Sequence, residues 1–97
     1  MTAVRQDLIR ELERNVDRLG SMPLTRAQGC EGLVHSAAAA IVDLTAEHPS
    51  ADLPHLQAHA LGSLLAVVGH DYLQTPENDE RDQQVLDLLI ALRRALP

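Results

Sequence analysis

The sequence predicts an all-α protein, a single-domain antiparallel four-helix bundle. Three observations carry this. Apolar residues recur with a helical period in four separate stretches. Between the stretches stand Gly, Pro and capping residues, which end one helix and start the next. No stretch alternates apolar and polar residues as a half-buried strand does. Four amphipathic helices with short connections pack as an antiparallel bundle, and 97 residues suffice for one core.

The first helix is expected over Val4–Leu19. Leu8, Leu12, Val16 and Leu19 make its stripe, Thr2 is placed to cap it, and Gly20 suits a left-handed residue that ends it. The second is expected over Arg26–Glu47. Thr25 and Gln28 have capping-box spacing, and Cys30, Leu33, Ala37, Ile41 and Leu44 share a face. His48-Pro49 stops it, because a residue before proline is pushed out of the α region.

The third helix is expected over Leu53–Leu73, with Ser50 or Asp52 as cap and Pro54 tolerated in the first turn. Leu53, Leu56, Ala60, Leu64, Val67 and Val68 form its stripe, widened by Leu61, Leu65 and Tyr72. The fourth follows Thr75-Pro76 and spans 77–96. Glu77, Asp79, Glu80 and Asp82 crowd its start and Arg93 and Arg94 its end, each favoured by the helix dipole. Val85, Leu86, Leu89, Leu92 and Leu96 make its apolar face.

Composition narrows function. The net charge is −6, against the basic surface that a phosphate-gripping protein needs, so no nucleic-acid partner is expected. No apolar run approaches the ~20 residues that span a bilayer, and residues 1–20 are too charged for a secretory signal. A cytoplasmic protein with no membrane partner is the expectation. One Cys excludes an intramolecular disulfide framework. Tyr72 is the single aromatic, which disfavours ring-stacking sites for bases or flavins. All eight basic residues are Arg, so neither a Schiff-base nor a P-loop lysine exists. This bias toward Arg, Ala and Leu suggests a GC-rich bacterial coding sequence. No cofactor is expected.

The third helix carries an anomaly. Opposite its large apolar residues stand Gly62, Ser63, Ala66, Gly69 and His70, where a face meeting only water would carry long polar side chains. Interior glycines cost about 1 kcal/mol each relative to Ala, so something is expected to use the close approach they permit. A symmetric homodimer through Gly62, Ser63, Ala66, Gly69 and His70 is the first reading, since two-fold contacts need a self-complementary patch. Another protein partner would use the same face. Packing of this stripe against the second or the fourth helix of the same chain is the plainer reading.

Two further readings rest on histidines. His55 and His59 stand at i, i+4 and can share a metal ion, with a third ligand such as His35 or His48 from elsewhere. His70 lies about 16 Å farther along the helix than His59 and cannot join them. The run Ala58-His59-Ala60-Leu61-Gly62-Ser63, followed by Gly69, resembles the active helix of histidine phosphotransfer domains. The resemblance implies a phosphocarrier with His59 as phosphoacceptor. It covers about a dozen residues and departs from the pattern, with no Lys one turn after His59 and Gly62 one position early.

Other residues carry less. Cys30 near a helix start is conceivable as a thiolate, but its apolar face reads as burial. Arg10, Arg14 and Arg18 form a row on the first helix, where Asp7 and Glu11 at i, i+3 make ordinary exposed pairs. No spacing suggests a nucleophile with its base. The sequence therefore predicts a small non-enzymatic interaction or regulatory protein.

Overall fold

The computed structural model describes residues 1–45 and 60–97. Among them the chain is all α, with five helices and no strand: α1 (Ala3–Ser21), α2 (Leu24–Gln28), α3 (Glu31–Thr45), α4 (Leu61–Leu73) and α5 (Asp79–Ala95). The predicted stretch 53–59 of the third helix, with His55 and His59, lies outside the described residues, as does His48.

α1 forms where its stripe predicts. The Thr2 hydroxyl accepts from the Arg5 amide at 3.1 Å, so the expected cap is made. Its end differs from expectation. The helix runs through Gly20 to Ser21, and Gly20 does not adopt a left-handed conformation. The Met22 amide instead donates to the Leu19 carbonyl, and the Ser21 hydroxyl returns to the Asp17 carbonyl at 3.0 Å.

The predicted second helix is two helices. α2 starts at Leu24 after Pro23 with no side-chain cap, so the Thr25–Gln28 capping box is not formed. At Gly29 the bonding tightens: the Gly29 amide donates to Arg26 and the Cys30 amide to Ala27, three residues back, before the Val34 amide resumes the four-residue step to Cys30. Glycine makes this break inexpensive, since it contributes little helix propensity to either side. Cys30 is buried, as its face implied, and its thiol donates to the Arg26 carbonyl at 3.3 Å.

α5 begins later than expected. Asn78, with extended backbone, caps it by accepting from the Arg81 amide at 2.9 Å. Glu77 therefore stands outside the helix, where it accepts from the Thr2 amide.

α1 and α3 each pack on both α4 and α5. Paired residues give the directions. Gly69 faces Leu12 and Gly62 faces Val16, so α4 runs antiparallel to α1. Leu33 lies level with Ala95 and Leu44 with Gln84, so α5 runs antiparallel to α3. Arg5 meets Asp82, Asn15 meets Leu89 and Arg18 meets Pro97, so α5 runs parallel to α1. That last pair departs from the all-antiparallel expectation. Arg5 and Asp82 form a buried bond that only the parallel pairing can make.

The core contains Leu8, Leu12 and Leu19 from α1, Val34, Ala38 and Ile41 from α3, Leu61, Leu65, Val68 and Tyr72 from α4, and Val85, Leu89 and Leu92 from α5. Burial of each large member contributes about 1.5–3 kcal/mol. The predicted stripes of the first and last helices are this core, with Val16 only half-buried. Of the face expected for the second helix, Cys30, Ala37 and Ile41 are buried as expected, and Leu33 and Leu44 are not. Val34 and Ala38 are fully buried, while Leu33 is 42% exposed and Leu44 partly so.

Candidate interaction surface

Charged residues inside the protein are the first place to look for chemistry. Arg5 and Asp82 are both buried and meet in a two-pronged pair, Nε to Oδ2 at 3.0 Å and Nη2 to Oδ1 at 2.9 Å. The Tyr72 hydroxyl also donates to Asp82 Oδ1. Arg5 donates further to the carbonyls of Leu73, Thr75 and Pro76, at 3.2–3.3 Å. Its guanidinium lies 5.5 Å from the Tyr72 ring centre, and Arg81 lies 5.6 Å from it. One side chain of α1 thus ties down the turn between α4 and α5.

The electrostatics follow from this geometry. Burial pushes the Asp82 carboxyl up. The bonds from Arg5 and Tyr72, the Arg5 charge and the Asn78 backbone outweigh that and hold it below the usual carboxylate range. Burial and the bond to Asp82 push the Tyr72 phenol up. The bond to Asp82 raises Arg5 against its own desolvation. Both Asp82 oxygens and all three Arg5 nitrogens are engaged, which makes a clamp of this pair, while Arg81 Nε beside it is buried without a hydrogen-bond partner.

The shifts have opposite pH consequences. A carboxyl lowered by folding contributes stability above its unfolded pKa of about 3.9, lost as pH falls through the folded value. A phenol raised by folding contributes below about pH 10, lost as pH rises through its folded value. Tyr72→Phe is therefore expected to remove part of the alkaline loss in urea unfolding followed from pH 8 to 11. A variant with the wild-type alkaline slope would show that Tyr72 does not titrate with unfolding.

A second cluster lies halfway along α1. Glu11 is buried and accepts from Arg93 of α5 and, at 3.3 Å, from Arg14. Asn15 donates to the carbonyls of Glu11 and Leu89 at 2.9 and 3.0 Å, and its Oδ1 is buried without a protein partner. These bonds set the register of α1 against α5.

The small-residue stripe of α4 divides. Gly69 is buried against α1: a Cβ there would stand 2.5 Å from Leu12 Cδ2. Gly69 therefore serves the chain's own packing and is not a surface residue. Gly62 faces the α1 backbone, where a Cβ would lie 3.5 Å from the Val16 carbonyl oxygen. It borders a hollow of about 350 Å³ with Ser63, Gly20, Met22 and Leu24. Ala66 is half-buried, and Ser63 and His70 are exposed. Between them stands Val67, 61% exposed. His35 is buried in α3. Among the described residues no three His, Cys, Asp or Glu gather to hold a metal ion, and no helix is long and apolar enough to cross a membrane.

A broader open apolar feature lies between α3 and α5. α3 carries a second apolar stripe at i, i+4, i+7 and i+11: Leu33, Ala37, Ala40 and Leu44. Beside it α5 presents Leu88, Ala91 and Ala95. The valley between them holds two adjoining open hollows, of about 540 and 350 Å³, that share Leu88 and Ala91. Asp43, Gln84 and Asp87 rim the first, and Ser36 enters the second. No known protein family, curated protein or solved structure matches this chain.

The valley itself must then be read by its chemistry. Its floor offers methyl groups and almost no polar atoms, so it suits another apolar helix surface better than a polar metabolite. Sequence reasoning missed it by assigning Leu33 and Leu44 to the core. The available signal was an excess: α3 has apolar residues on two faces, and one core uses one.

Proposed function

We propose that the protein is a small non-enzymatic interaction module that associates with a second copy of itself. The proposed scaffold is a bundle of α1, α3, α4 and α5, of mixed direction, with α2 as a connector. One observation supports this above others. α3 carries a second apolar row, with Leu33 exposed, Ala40 and Leu44 half-buried and Ala37 buried at its base, and this row lines two open hollows beside Leu88, Ala91 and Ala95 of α5. An isolated exposed Leu is ordinary, but a continuous valley across two helices is the form that protein contacts take. The buried charges favour the same reading, because they link helices to one another. The cytoplasm is the proposed location.

Sedimentation equilibrium tests this. Twice the 10.6 kDa chain mass is expected at high protein concentration, with dissociation on dilution through the micromolar range, about −8 kcal/mol for a modest interface. A 10.6 kDa species at every concentration up to about 1 mM, weaker than about −4 kcal/mol, would overturn self-association.

A further inference from the structure

We infer that the α3–α5 valley is the two-fold surface of that self-association, with α5 antiparallel to the partner's α5 and Asp87 opposite Arg94 of the partner subunit. This rests on the self-association reading and specifies where and how the copies meet.

A two-fold contact must be complementary to itself, so each residue at some distance from the axis needs a suitable partner at the same distance on the other side. The valley meets this on both helices. On α3, Ala37 and Ala40 flank the midpoint, and Leu33 and Leu44 stand four residues outside them. Reversing the strip therefore lays each large residue on the other and each small one on the other. On α5 the midpoint lies between Ile90 and Ala91, with Asp87 and Arg94 at equal distances on either side of it. Reversal here sets an acid on a base, twice per dimer. The two midpoints lie at one level, because the antiparallel packing places Ala37 and Ala40 beside Leu88 and Ala91. One axis across both helices satisfies both strips.

Charge favours a second copy over other partners. One end of the valley is acidic, with Asp43 and Asp87 on its rim; Arg94 lies outside its lining but is exposed on α5, seven residues after Asp87 and so on nearly the same side of the helix. Within one chain Asp87 and Arg94 are seven residues apart, about 10 Å along the helix, too far to pair with each other. Asp87 is steadied by Gln83, whose amide donates to Oδ1 at 2.9 Å and leaves Oδ2 for a partner. Antiparallel α5 helices also oppose their dipoles favourably.

The test is a charge-reversal cycle, read by sedimentation equilibrium. Asp87→Arg and Arg94→Asp each place like charges opposite one another and are expected to weaken association at least about tenfold. The double variant D87R/R94D restores opposite charges and is expected to return within about threefold of wild type. Both positions are exposed, so circular dichroism should show all three variants folded. If wild type is monomeric throughout, self-association falls and this inference with it. If wild type dimerises but either single reversal leaves the constant unchanged, or the double variant fails to recover, the α3–α5 geometry is wrong while self-association stands.

Discussion

Replacing Asp82 by Asn is expected to remove about 3–5 kcal/mol of folding stability, the usual cost of leaving one member of a buried ion pair alone. For a 97-residue domain that is a large share of a total on the order of 5–15 kcal/mol. The geometry explains the size. Asp82 is fully buried and receives three donors: Arg5 Nε, Arg5 Nη2 and the Tyr72 hydroxyl. An Asn amide offers one oxygen. Its nitrogen would point donors at donors, and the Arg5 charge would remain buried without its counter-charge. Urea unfolding at pH 7 measures the loss; a cost under about 1 kcal/mol would mean that the clamp relaxes to water. Lowering the pH should narrow the gap between wild type and variant, because wild type loses the Asp82 contribution as the carboxyl protonates.

The paired replacement Arg5→Met with Asp82→Leu sharpens this. Buried ion pairs can often be exchanged for apolar residues without loss. Here Arg5 also donates to the carbonyls of Leu73, Thr75 and Pro76, where α4 gives way to the turn. Methionine serves none of them. The double variant should exceed either single one yet fall short of wild type, by roughly the 1–3 kcal/mol that under-satisfied carbonyls cost.

The clamp also marks where the sequence stops being readable. Leu8, Leu12 and Leu19 announce the buried side of α1 through spacing alone, because apolar burial needs no particular partner. Arg5, Glu11 and Asn15 lie on that same side, and spacing counts them as surface. Their burial depends on Asp82, Arg93 and the Leu89 carbonyl, which are more than seventy residues away. The parallel course of α1 and α5 was hidden for the same reason. Helix length and short connections favour antiparallel neighbours, and only this long-range pairing shows otherwise. The break at Gly29 was more accessible, since Gly29 and Gly32 stand within one turn of each other in the sequence. The outward stripe of α3 was obscured by the assumption that every apolar residue in a small domain serves its core.

Gly69 was legible as an anomaly but not in its use, and its substitution separates two opposing effects. Gly69→Ala gains about 1 kcal/mol of helix propensity. The new methyl would meet Leu12 Cδ2 at 2.5 Å and Cδ1 at 2.6 Å, with Cγ at 3.1 Å. These atoms end a flexible side chain, but Leu12 is buried in the packed core, so its displacement costs about 1–3 kcal/mol. Gly69→Ala is therefore expected to destabilise wild type by up to about 2 kcal/mol. Leu12→Ala alone should cost about 2–5 kcal/mol through the cavity it leaves. In that truncated background the three closest contacts are gone and the propensity gain remains, so Gly69→Ala should stabilise by about 1 kcal/mol. The same substitution thus changes sign with residue 12, and urea unfolding of the four proteins reads the coupling directly. Equal effects in both backgrounds would remove Leu12 as the reason for a glycine at this position. A sign change would establish that Gly69 on the α4 stripe is there for α1, and would leave Ser63, Val67 and His70 as the exposed part of that side of the helix, with Ala66 half-buried.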